Sequence, residues 1–162
     1  MKLLGALALV SAAIVVTYIN WKGTHPPKES SYFYDLSKRA LFEAPIDSVP
    51  PIRGIDDNEP DGVRAIVVST SGNCRDAESR RILYLEKYSD LLKHEMEARL
   101  STPPGTEAPS TTISRAQARM HTFVKAIEDA DWSTIDSERG EALINRLSTP
   151  DPSGKLPLPC VP

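Results

Sequence analysis

The chain is short of the residues that enzymes use most. It holds three histidines among 162 residues, and they form no recognisable constellation. His94-Glu95 opens like a zinc-protease motif, but that pattern needs a second histidine where Ala98 stands. Two cysteines are too few for a structural zinc site of their own. Glycine is also scarce, at eight residues, and builds neither a phosphate-binding loop nor a nucleophile elbow. There is no excess of basic residues: 19 Lys and Arg stand against 22 Asp and Glu, a net charge of −3. That excludes the broad basic patch of a nucleic-acid binder. No catalytic residue, cofactor site or metal site is assigned from the sequence.

What is present begins at the N-terminus. Leu3 to Ile19 reads LLGALALVSAAIVVTYI and carries no charge. Seventeen residues make a helix of about 25 Å, slightly short of a hydrocarbon core of about 30 Å. Leu3, Leu4, Leu7, Ile14, Val15, Val16, Tyr18, Ile19 and Trp21 would be the anchor positions, with the aromatic rings and Lys22 at the headgroups. The competing reading is a cleaved signal peptide, with Ser11-Ala12-Ala13 near the cut. Ile14 to Val16 carry the apolar run past that point, which favours an uncleaved single-pass anchor. The expected arrangement is N-terminus in the cytoplasm and bulk outside, with membrane lipid as the partner of this helix. No cysteine lies near the segment to carry a lipid. Cys74 and Cys160 are expected to form one disulfide in an oxidising compartment.

Fourteen prolines divide the rest, and none falls in 61–102 or 110–149. Because proline breaks helix interiors and central strands, these two blocks are read as the folded core. Residues 1–21 are then the anchor or signal, 22–60 a proline-rich linker, 61–149 a small α+β domain and 150–162 an irregular tail. Within the linker, Ser31–Phe42 reads as a short amphipathic helix or strand lying on the membrane or on the core, and Tyr32, Phe33 and Tyr34 would pack on the domain.

In the first block, Val63–Val68 has the β-branched content of a buried strand. Residues 69–79 read as a loop. Arg81–Tyr88 reads as a strand, with a helix over 76–100 as the alternative. Ser89 or Asp90 would cap a helix to Leu100, with Leu92, Met96 and Leu100 on one face. In the second block Phe123–Ile127 and Trp132–Ile135 read as strands. Asp136 or Ser137 would cap a helix burying Ala142, Leu143 and Leu147. A rival helix over 115–129 rests on the Ser114/Gln117 capping box and on Met120, Phe123, Val124 and Ile127 at helical spacing. The fold class expected is α+β, an antiparallel sheet of about four strands with two helices, or mostly α if the helix readings hold.

Four chemical features are weak. Asp57, Glu59, Asp61 and Gly62 open like a calcium loop, but the closing glutamate is missing, so the stretch reads as a solvated acidic turn. His121 could pair with Asp129 or Asp131, but no spacing fixes the geometry. Cys74 precedes Arg75, which could lower a thiol pKa, but has no histidine to partner it. Trp132 and the tyrosines could form a ligand platform.

Val63-Arg64-Ala65-Ile66-Val67, then Arg81–Tyr88, then Trp132 with Asp136-Ser137-Glu138-Arg139-Gly140, resemble uncharacterised exported bacterial proteins with an N-terminal membrane anchor. The resemblance supports the strand readings and implies no catalysis. The function expected is a non-enzymatic, membrane-anchored extracytoplasmic domain that binds a protein partner, such as an accessory subunit of an envelope assembly. An exported small-ligand or glycan-binding module and a small exported enzyme using His121 or Cys74 are the alternatives.

Overall fold

The computed structural model describes residues 29–56, 58–106, 113–152 and 154–162. The apolar stretch and all its anchor positions from Leu3 to Trp21 lie outside the described residues, as does Asp57 of the acidic turn. Among the described residues no helix is long and apolar enough to cross a membrane.

Among the described residues, an antiparallel sheet of seven strands with three helices confirms the α+β class. β1 (Ser30–Asp35) and β2 (Ala40–Pro45) form a hairpin. β3 (Gly62–Ser69), β4 (Arg80–Tyr88), β5 (Thr122–Lys125) and β6 (Ser133–Thr134) extend the sheet in the order β2-β1-β3-β4-β5-β6. β7 (Leu158–Cys160) pairs with Val67–Ser69 of β3, while β1 takes Gly62–Arg64. β4 holds the other edge of β3, so β1 and β7 share one edge end to end.

β3 is apolar on both sides because both faces of the sheet are covered. One face gathers Val63, Ala65 and Val67 with Tyr32, Tyr34, Leu85 and Cys160. The other gathers Val68 with Leu83, Tyr84, Val124 and Leu143. The register shifts between Ile66 and Val67, opposite Tyr84 and Ile82, so Leu83 is the extra residue of a bulge. That lets Leu83, Tyr84 and Leu85 all be buried in succession.

α1 (Asp90–Leu100) starts at Ser89, whose side chain accepts the Leu92 N–H. α2 (Arg115–Ala118) is one turn with a complete capping box at Ser114 and Gln117, and a 3-10 turn over Arg119–His121 leads it into β5. α3 (Glu138–Asn145) is capped by Ser137 and buries Leu143.

Several expectations need correction. Among the described residues the domain has seven strands where about four were expected, and three helices where two were. β1 and β2 lie in the stretch set apart as linker, whose prolines flank the hairpin, at Pro26 and Pro27 before it and at Pro45, Pro50, Pro51 and Pro60 from the end of β2 onward. The tail is not wholly irregular, because Pro159 sits in a short strand whose neighbour is bonded to Cys74. The rival 115–129 helix stops after one turn, and Thr122–Lys125 joins the sheet instead. Ala142 is exposed, and Leu100 is 56% exposed, since only Leu92 of α1 is buried.

Candidate functional site

The residues that could carry catalysis are mostly engaged in structure. Cys74 is joined to Cys160 in the expected disulfide, with Cα atoms 5.4 Å apart. It is therefore no thiol, and Arg75 has nothing to activate. His94 is exposed on α1. Neither Asp129 nor Asp131 bonds to His121. Instead His121 Nδ1 lies 2.9 Å from Ser89 Oγ, and the Ser89 N–H donates to the His121 carbonyl, also at 2.9 Å. Ser89 Oγ also accepts the Leu92 N–H as the cap of α1, so one hydroxyl serves both the cap and the contact with His121. Among the described residues no carboxylate orients the far ring nitrogen. The pair ties the start of α1 to the start of β5.

The acidic turn is folded inward. Asp35, which has no exposed surface, accepts the Ser37 hydroxyl at 2.9 Å and the N–H groups of Lys38 and Ile55 at 2.7 and 2.6 Å. Desolvation by burial would raise its pKa, but these donors outweigh it and hold the carboxyl below its ordinary value. Asp61 accepts the Ser37 N–H, and both carboxylates converge on Gly54, where a Cβ would overlap them. Among the described residues no group of three or more His, Cys, Asp or Glu is placed to hold a metal ion.

The expected aromatic platform is dispersed. Tyr32, Tyr34 and Tyr84 are core residues, while Trp132 is half-buried at the edge of a cleft. Burial, with the Glu86 charge adding to it, pushes the Tyr84 hydroxyl up to about 12. The same causes raise Tyr88, which also donates to Glu86 Oε1 at 2.8 Å.

One feature of the sheet is open. β4 pairs with β3 over Arg80–Glu86, but with β5 only over Leu85–Tyr88. The chain leaves β5 because Asp129 Oδ2 takes the Ala126 N–H and the Asp129 N–H donates to the Ala126 carbonyl, closing a turn. Arg81–Tyr84 therefore have no strand partner on the β5 side among the described residues. Part of this edge faces a groove of about 600 Å³ whose lining includes Arg81, Leu83, Glu128, Arg146, Asp151 and Pro157, with two basic and two acidic side chains. Among the described residues no ion pair joins Arg81 or Arg146 to a carboxylate.

No protein family, curated protein or solved structure matches the chain.

Sequence reasoning missed the groove. Its two arginines stand 65 positions apart, and the open edge results from a difference in length between β4 and β5. The nearest signal was Asp129-Ala-Asp131, read as a turn but not as the stop that shortens β5.

Proposed function

We propose that this chain is a non-enzymatic domain held at a membrane outside the cytoplasm, where it binds an extended segment of a protein partner along the open edge of β4. The observation that carries the reading is that edge, lying against a groove with two arginines unpaired among the described residues. An added strand satisfies the backbone groups that an edge leaves free, and side-chain pockets beside it give selectivity. Arg81 and Arg146, unpaired among the described residues, favour a segment carrying carboxylates at the positions that meet them, with Glu128 and Asp151 balancing the overall charge of the lining. The disulfide suggests an oxidising, extracytoplasmic location. The uncharged N-terminal stretch supports a tether to the membrane, and the resemblance to exported bacterial proteins fits an accessory role in an envelope assembly.

The test is selection from a library of extended peptides against the full chain in detergent. Acidic segments should be enriched, and Arg81→Glu with Arg146→Glu should abolish their binding while leaving the fold intact by circular dichroism. Enrichment indifferent to charge, or binding unchanged in the double variant, would contradict the reading.

A second reading, a module for a small ligand or glycan, is favoured by one observation: Trp132 stands at a cleft with two lysines against its ring.

A further inference from the structure

A separate cavity, of about 470 Å³, lies where α1 and α2 meet the ends of β4 and β5. That volume is within the range of small-ligand pockets. Leu92 and Ile113, both buried, and Met96 and Ala118, both half-buried, give it aliphatic walls. A methionine side chain adapts its shape readily, so the wall at Met96 can follow a flexible ligand.

Most polar groups on the lining are already spent inside the fold. The Tyr88 hydroxyl donates to Glu86 and the Ser114 hydroxyl to Gln117, both at 2.8 Å. The Thr122 hydroxyl donates to the Ala118 carbonyl at 2.9 Å. Glu95 stands four residues before Arg99 on α1, the spacing of a helix ion pair. Its carboxylate turns instead to the Ile113 N–H, which lies 3.1 and 3.4 Å from the two oxygens. Among the described residues neither Arg99 nor Arg115 forms an ion pair with a carboxylate. Both are exposed and both line the cavity. The donors left over are therefore those of two guanidinium groups, and their complement is an acceptor. A hydroxyl-rich sugar, which needs donors and acceptors together, is poorly served here.

The charged residues of the lining are Glu95, Arg99 and Arg115, which leaves one positive charge in excess. One carboxylate matches that excess, and guanidinium binds carboxylate through two parallel hydrogen bonds. A doubly charged phosphate would exceed it. We infer that this cavity binds an aliphatic monocarboxylate, a free fatty acid of medium length. The carboxylate meets Arg99 and Arg115, and the chain lies against Leu92, Met96, Ile113 and Ala118. The site goes beyond both readings above and depends on neither. It shares no lining residue with the β4 groove, and only Tyr88 with the cleft beside Trp132.

The test uses the full chain in zwitterionic lipid nanodiscs, labelled at its methionine methyl groups. Met96 reports the cavity, while Met120, 59% exposed and outside the lining, is the internal control. Nuclear magnetic resonance follows both during titration with octanoate, octanol and inorganic phosphate. A saturable shift of Met96 with octanoate, at least tenfold weaker with octanol and absent with phosphate, supports the site. Arg99→Gln and Arg115→Gln should each weaken octanoate binding about tenfold, as loss of a charged hydrogen bond does. Arg115→Lys should retain more than Arg115→Gln, which separates loss of charge from loss of fold. Arg81→Glu with Arg146→Glu should leave octanoate binding unchanged even if peptide binding is lost, so the two proposals fail separately. Octanol binding as tightly as octanoate, phosphate binding more tightly, a shift shared equally by Met120, or indifference to both Arg→Gln changes would overturn the inference.

Discussion

Gly140 shows how a single residue can be fixed by its neighbour. It lies in the first turn of α3, where alanine would normally improve the helix by about 1 kcal/mol. Here a Cβ would overlap the carbonyl of Thr134, which is backbone and has no rotamer to move. Gly140→Ala should therefore destabilise the protein, as read from its urea midpoint; an increase in stability would show that β6 and α3 are not packed this closely. Gly54 is crowded instead by side chains, the carboxylates of Asp35 and Asp61. Neither constraint was legible in the sequence, because each depends on what the fold brings against the glycine. The caps were legible. Ser89 and Ser137, each one of two candidate caps, do begin helices, and Ser114 caps the single turn that remains of the rival helix, since an N-cap is set by a few consecutive residues.

At the scale of elements, the sequence shows what the core contains better than where it ends. β3, β4, β5, β6, α1 and α3 were read from local patterns of apolar and capping residues. The sequence leaves Ser31–Phe42 open between helix and strand and does not separate β1 from β2, because Tyr32, Phe33 and Tyr34 are all buried and show no polar alternation. β7 was missed because a strand of three residues with a central proline depends on its partner and on the disulfide rather than on propensity. The bond closes a separation of 86 residues, so removing it should cost about 4 kcal/mol in the chain-entropy model. Cys74→Ser with Cys160→Ser should lower the urea midpoint accordingly and speed amide exchange at Val67–Ser69, where β7 pairs with β3. Unchanged exchange there would mean that β7 holds its place without the bond.

For the whole molecule, the two-sided core makes stability depend on pH at the alkaline end. Tyr84 titrates near 12 in the fold against an ordinary 10.0, so the folded state prefers its protonated form. The sign follows: its contribution is complete below pH 10 and is lost as pH rises toward 12. Tyr84→Phe should flatten the fall in stability over that interval, as followed by urea unfolding at stepped pH. An equally steep fall in the variant would assign the alkaline transition to other groups.

The open edge of β4 is tested most directly by residue-resolved hydrogen exchange on the full chain, alone and with an acidic extended peptide. Without peptide, the β5-facing amides of Arg81–Tyr84 should exchange faster than those of Leu85–Tyr88, which β5 covers. With peptide, protection should rise at Arg81–Tyr84 and leave the outer edge of β2 unchanged. Equal protection of both halves of β4 without any peptide, or slowing confined to β2, would contradict the account.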